Sequence, residues 1–279
     1  MGRQDSKEQW LLNGQPLAPE AGPNRGLQFG EGLFETMLAM DGRLPLWERH
    51  WQRLQAGCHR LDLPCPSREQ VEKDIQYLCP PRGRWVIKLL LTLPAGGRGY
   101  ARPPSPAPQV YIGRFPAPEP TSEGLQLHLC ELRLGHQPVL AGLKHSNRLE
   151  QVLARREVDR AGRDEGLLRD EDGRIIEAVA ANLFLIADGH VMTPCLRHGG
   201  VAGVMRAEVL AGCQALGLPT RVTEVRLGDI LSADEVFLSN SLNGIRPVTG
   251  LDGKDIHTEW PLGQTTQRLQ TALKEKGSI

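Results

Sequence analysis

Two residues of this chain have the types and settings needed for covalent chemistry on an aldehyde. Lys144 stands in Gly142-Leu-Lys-His-Ser-Asn-Arg-Leu-Glu150, at the mouth of what reads as a helix. Glu177 is the single carboxylate of the apolar run Ile175-Ile-Glu-Ala-Val-Ala-Ala-Asn-Leu-Phe184. An amine condenses with an aldehyde, and an acid keeps a ring nitrogen protonated so that the ring accepts electrons; this pairing is how proteins hold pyridoxal phosphate. The positive end of a helix dipole beside Lys144 disfavours its ammonium form and so favours the nucleophilic amine. Glu177 interrupts residues that face a core, where an unpaired carboxylate is costly, and a pyridinium N–H would supply a partner. Each has a plainer reading: Lys144 as a solvated loop lysine, Glu177 as a strand-edge glutamate facing water.

A phosphate would need local donors, because Lys plus Arg equals Asp plus Glu at 33 each and the chain has no net field to offer. Gly203-Val204-Met205 precede a helix beginning near Arg206, and a glycine there lets backbone N–H groups close on an anion, although most helix starts hold no ligand. Arg53 lies between Trp51 and Leu54, where its fork reaches phosphate oxygens or simply faces water. Arg98 and Tyr100, on the turn Ala95-Gly-Gly-Arg-Gly-Tyr100, are candidates for a substrate carboxylate; the glycines serve the turn in either case. The eight histidines show no triad or ligand spacing, and the six cysteines show neither CxxC nor metal-type spacing. Reduced thiols and no metal are the expectation.

The charge balance argues against a nucleic-acid binder or a protein drawn to an anionic membrane. No run approaches eighteen apolar residues and no basic-then-apolar leader opens the chain, so a soluble cytoplasmic protein is expected. Met1-Gly2-Arg-Gln-Asp-Ser6 fits the short myristoylation pattern, with nothing else to support an anchor.

The elements that must position these residues follow from periodicity. Trp10 to Asp41 alternates short apolar runs with Asn-Gly, Pro and Gly, as strands and hairpins do. Trp47, Trp51, Leu54, Cys58 and Leu61 then recur at helical spacing until Pro64. A buried strand is expected at Trp85–Leu93 and another at Val110–Phe115. Asp172-Gly173 and Asp188-Gly189 mark two hairpins that fix the face of Glu177. Helices are expected from about Ser146 to Gly162 and Met205 to Leu216, with a strand at Glu235–Ser239 and an amphipathic helix closing the chain. The class is mixed α and β, in two domains: 1–115, a proline-rich linker at 116–121, and 122–279 carrying Lys144.

Together these segments resemble the class IV, fold-type IV pyridoxal phosphate enzymes, from Asn24-Arg-Gly-Leu-Gln-Phe-Gly-Glu-Gly-Leu-Phe-Glu-Thr36 to Asn240-Ser-Leu-Asn-Gly-Ile-Arg-Pro-Val248. Within that family Leu143-Lys-His-Ser-Asn-Arg-Leu-Glu-Gln151 and Gly96-Gly-Arg-Gly-Tyr100 are most similar to the aminodeoxychorismate lyases. The resemblance implies two α/β domains with the active site between them, a homodimer, pyridoxal 5'-phosphate on Lys144 with Glu177 at the ring nitrogen, and Arg53 and Ser241 on the phosphate. It implies a lyase that converts 4-amino-4-deoxychorismate to 4-aminobenzoate and pyruvate in folate synthesis, with Thr36 assisting elimination, although a β-branched residue in a strand needs no such role. A class IV aminotransferase acting on branched-chain or D-amino acids is the alternative, and a binding protein that kept the fold without the chemistry is a third. Two departures stand out: Asn24 where the family usually has Asp, and Arg246 where many lyases have an aromatic residue.

Overall fold

The computed structural model describes residues 9–16, 24–95, 99–119 and 123–278. Contacts divide the chain into two units, Met1–Pro118 with Lys144–Asn147, and Glu119–Leu143 with Arg148–Ile279. The sequence reading assigns Lys144 to the second domain; its contacts group it with the first unit.

In the first unit β1 (Gln9–Leu12) and β2 (Gln15–Pro16) form a hairpin around Asn13-Gly14, both with positive φ, as a tight two-residue turn requires. A short helix, α1 (Arg25–Phe29), precedes β3 (Gly32–Met40). Then come α2 (Trp47–Arg60), α3 (Arg68–Leu78), β4 (Arg84–Thr92) and β5 (Gln109–Pro116). The strands make one antiparallel sheet in the order β2-β1-β5-β4-β3. The stripe read from Trp47 onward lies on α2, and its buried members Trp51, Leu54 and Cys58 pack with Val71, Ile75 and Leu78 of α3 against Leu33, Met37, Ile87 and Leu89 of the sheet. Burying each such leucine contributes roughly 2 kcal/mol, which ties α2 firmly to β3.

The second unit contains β6 (Leu125–Leu134), α4 (Leu149–Ala161), β7 (Glu165–Asp170), β8 (Arg174–Ala178), β9 (Asn182–Ala187) and β10 (His190–Pro194). It continues through α5 (Val204–Ala215), β11 (Thr220–Thr223), β12 (Val225–Arg226), α6 (Leu227–Leu231), β13 (Glu235–Asn240), β14 (Gly244–Gly253), β15 (Ile256–Glu259) and α7 (Gln264–Glu275). One mixed sheet runs β11-β10-β9-β13-β14-β6-β7-β8-β12, with β15 beside β14. Both Asp-Gly hairpins form, β7 with β8 and β9 with β10. One sheet face buries Leu127, Leu167, Leu185 and Leu238, and Ala154 and Val158 of α4 cover Cys130, Leu168 and Ile176. No helix among the described residues is long and apolar enough to cross a membrane.

Candidate active site

The segment carrying Lys144 is held by two glycines of β3's approach. Gly32 has no room for a side chain beside Leu91 O and Ser146 Oγ, and Gly30, at φ 65°, sits where any Cβ would overlap Asn147. That space lets Lys144–Asn147 run along β3: Phe34 N–H donates to Lys144 O at 2.9 Å, Ser146 N–H to Gly32 O at 2.9 Å, and Asn147 Nδ2 to Gly30 O at 2.9 Å. Lys144 Nζ then lies 4.2 Å from the centre of the Phe34 ring. Phe34 and Thr36 alternate with buried Leu33, Glu35 and Met37, so Thr36 shares the face of Phe34.

The helix expected from Ser146 starts instead at Leu149, with Arg148 as its N-cap. Lys144 therefore lies outside the first turn, beyond the reach of the dipole that the sequence reading invoked. It runs along strand backbone and reaches the Phe34 ring, and its charge acts on His50.

Arg53 projects from α2 toward β3. Its Nε donates to Glu35 Oε1 at 2.8 Å and its Nη2 to Glu35 Oε2, while His50 Nδ1 donates to Glu35 Oε2 at 2.6 Å. Glu35 is buried, and burial alone would raise its pKa; the charge and hydrogen bonds of Arg53, with the bond from His50, overcome this and bring it down to about 2. Burial lowers the pKa of His50, and the nearby charges of Arg53 and Lys144 add to that, against the opposing pull of Glu35. His50 is thereby biased toward its neutral form, in which Nδ1–H donates to Glu35. Neither Glu35 nor His50 was singled out from sequence; a carboxylate between Phe34 and Thr36, spaced to meet a helix arginine, was the available signal.

Tyr100 is 84% exposed, and its ring meets Phe29 edge-on at 5.4 Å. Its backbone is fixed from below: Arg25 donates from Nη2 to Tyr100 O and from Nη1 to Ala101 O, both at 2.8 Å, and pairs with Glu31. Glu31 also pairs with Arg102, which caps the end of α2 through Leu61 O and Asp62 O. Arg98 lies outside the described residues. Asn24, the departure from the family pattern, keeps the capping role: Oδ1 accepts from Leu27 N–H, and Nδ2 donates to Tyr111 OH at 2.8 Å, which an aspartate cannot do.

In the second unit Glu177 lies on β8 opposite Leu168, 4% exposed, and its Oε2 accepts from Val201 N–H at 2.8 Å. Val201 is bridged to Gly142, two residues before Lys144 in the chain. Asn182 Nδ2 donates to Val201 O at 2.8 Å, and its Oδ1 fills the space that a side chain on Gly203 would take. Gly203 is the N-cap of α5 and no side chain caps that helix, so the N–H groups of its first turn, which opens with Val204 and Met205, form an anion-ready end. Ser241 sits in the turn after β13, where Asn240 Oδ1 accepts from Leu242 N–H and Asn243 N–H. β13 pairs with β9 so that Ser239 faces Asn182. Asn182 therefore ties together the Glu177 segment, the start of α5 and the strand leading to Ser241.

A family model described as amino-transferase class IV matches residues 32–251. The chain belongs to the class IV aminotransferase family. It is 37% identical to the aminodeoxychorismate lyase of Vibrio harveyi over 94% of this chain and 98% of that protein. Its fold is similar to the crystal structure of the 4-amino-4-deoxychorismate lyase from Pseudomonas aeruginosa, with a TM-score of 0.89 and 41% identity over 97% of this chain and 100% of that one. A putative branched-chain-amino-acid aminotransferase of Methanocaldococcus jannaschii is 27% identical over 90% of this chain and 89% of its own length. The class IV match spans β3 to β14 and so contains Lys144, Arg53, Glu177 and the start of α5. Arg246, the other departure, lines a small cavity of about 50 Å³ with Asn240 and Asn243. A larger cavity of about 770 Å³, between the end of α4 and Lys254, contains none of the candidate residues.

Proposed function

We propose that this class IV enzyme is a pyridoxal-phosphate-dependent 4-amino-4-deoxychorismate lyase that forms 4-aminobenzoate and pyruvate. The observation that carries the reading is the placement of Lys144 along β3, with Nζ at the Phe34 ring and Thr36 on the same strand face. Identity of 37% to a lyase over nearly the whole chain supports the substrate.

The residues fit the cofactor. Lys144 would supply the amine for its aldehyde, Glu177 a buried carboxylate for its ring nitrogen, and the uncapped start of α5 at Val204 and Met205 the donors for its phosphate, with Arg53 and Ser241 as further ligands. When bound, the cofactor serves as an electron sink for the carbon next to the substrate nitrogen. Lys144 would then serve as the general base for the proton on that carbon. The Phe34 face excludes water on one side of the amine. Glu35 fixes the Arg53 guanidinium in one orientation, so the arginine enters the site pre-ordered. Thr36 donates its hydroxyl proton toward the departing enolpyruvyl oxygen, and Tyr100 with Arg98 receives a substrate carboxylate. Loss of that oxygen makes the ring aromatic, which drives the step forward.

Incubating the holoenzyme with aminodeoxychorismate tests this directly. Stoichiometric 4-aminobenzoate and pyruvate are expected; amine transfer from leucine or D-alanine to 2-oxoglutarate at a higher rate, without aminobenzoate, would instead establish the aminotransferase reading that the archaeal relative favours.

In this reading the enzyme works in the cytoplasm, consistent with six free thiols, and as a homodimer. Leu149, Val152 and Leu153, spaced three and four apart on α4, are 70%, 54% and 41% exposed and form an apolar patch of the kind a second copy covers.

A further inference from the structure

We propose that the cavity at the end of α4 is a binding site for a small phosphorylated organic anion, an assignment independent of the lyase reading. The cavity, of about 770 Å³, lies within the second unit, and its lining includes Arg133, Arg160, Arg169 and Lys254 against Glu131 and Glu157. A space of that size holds an organic ligand rather than a lone ion.

Arg133 of β6 and Arg169 of β7 are register partners across a parallel strand pair, so their guanidinium groups emerge side by side on one face of the sheet. Like charges so placed repel. Burial, and then the charge of Arg133, push Arg169 below the ordinary guanidinium range, against the pull of Cys130 and Glu131. Arg169 Nη2 donates to Cys130 O at 3.3 Å, and its buried Nε meets no acceptor.

The carboxylates that could neutralise this group are engaged elsewhere. Glu157 Oε2 accepts from Glu131 N–H at 2.7 Å and Oε1 from Leu132 N–H at 3.2 Å, so both oxygens serve the β6 backbone where its register with β7 shifts. Asp252, two residues before Lys254, pairs with Arg163 and His257. Among the described residues no carboxylate pairs with Arg133, Arg160, Arg169 or Lys254, which leaves exposed Glu131 as the one lining acid free to offset them. Gathering repelling cations without a counter-charge costs stability, and such departures from a stable arrangement mark functional sites. Two guanidinium forks on adjacent strands suit phosphoryl oxygens, while Arg160 reaches in from α4 and Lys254 from the turn between β14 and β15. Leu129 and Ile256 offer apolar surface to the organic part of such a ligand.

The test titrates the holoenzyme with adenosine diphosphate as probe, in low-salt buffer free of phosphate and magnesium. Calorimetry is expected to show the diphosphate binding at least tenfold more tightly than adenosine, and at least tenfold more weakly to Arg133→Met and to Arg169→Lys than to the wild type. Equal affinity for adenosine, or for the variants, overturns the proposal. Without ligand, Arg133→Met is expected to melt at or above the wild-type temperature, because a repelling charge has gone; a midpoint several degrees lower would make Arg133 structural and overturn it. Arg160→Met and Lys254→Met, which alter exposed side chains, provide variants whose folding is not in question, and each is expected to weaken binding at least threefold. Capture of polyglutamate with no binding of the diphosphate would instead make this face a dock for an acidic protein, against the proposal.

Discussion

Glu35 is the anion on which one wall of the candidate site depends. With a pKa near 2 against 4.5 in the unfolded chain, it binds a proton more weakly when folded. It therefore adds stability that is complete above about pH 4.5 and is lost as pH falls toward 2. His50, whose pKa is lowered by burial, acts in the same direction, because protonating it below its ordinary range favours the unfolded chain. Urea midpoints between pH 7 and pH 3 are expected to fall steeply for the wild type and more gently for Glu35→Gln, which at pH 7 is itself less stable by roughly 3 kcal/mol, as expected when one partner of a buried pair is removed. A parallel acid limb in both proteins would disprove this role. At Lys144 the expectation concerns chemistry: Lys144→Ala folds as the wild type does, takes no covalent label on borohydride reduction with the cofactor, and turns over at least about 10³-fold more slowly. A labelled peptide elsewhere in the variant would move the anchoring amine to another lysine.

At the scale of elements, the start of α5 depends on an absence. Gly203 leaves its side-chain space to Asn182, whose amide holds Val201, and Val201 N–H in turn binds Glu177. Gly203→Val would displace Asn182 and disturb the helix end and the Glu177 segment at once. Cofactor affinity, followed by fluorescence titration, is expected to weaken by tenfold or more while thermal stability changes modestly; unchanged affinity would mean that the two parts are independent. The short α1 has a parallel task, since Arg25 holds the carbonyls of Tyr100 and Ala101 while Glu31 joins it to Arg102. Much of this level was legible in sequence: α2 came from its stripe, and both Asp-Gly hairpins from their turns. The missed elements had weaker local signals. α3 has an apolar face of only Val71, Ile75 and Leu78, α1 is five residues long, and β6 pairs in parallel with partners far along the chain, where no turn marks the register. The start of α4 was read too early because the Lys144–Asn147 segment owes its extended form to β3, a tertiary pairing that local propensity does not report.

For the whole molecule, sequence chemistry nominates candidate residues and the fold supplies their partners. Chemistry alone makes Lys144, Glu177 and the Gly203 helix start candidates, whereas the Glu35 and His50 cluster emerges only when β3 and α2 come together, because cross-element pairs are properties of the fold. The same reasoning applies to α4, whose apolar residues could not be sorted into faces before its packing was known. Ala154 and Val158 cover the sheet, which leaves Leu149, Val152 and Leu153 exposed on a helix that has already met its own core. An apolar patch at i, i+3 and i+4 on a surface helix costs solubility unless a partner covers it, so a second copy is the economical explanation. Light scattering is expected to give twice the 30.8 kDa chain mass at micromolar concentration. Replacing Leu149 and Val152 together by aspartate is expected to yield monomer with unchanged far-UV circular dichroism, because neither side chain contributes to the core. Monomer in the wild type, or a dimer that survives the double substitution, would place the contact elsewhere and leave the α4 patch as ordinary surface.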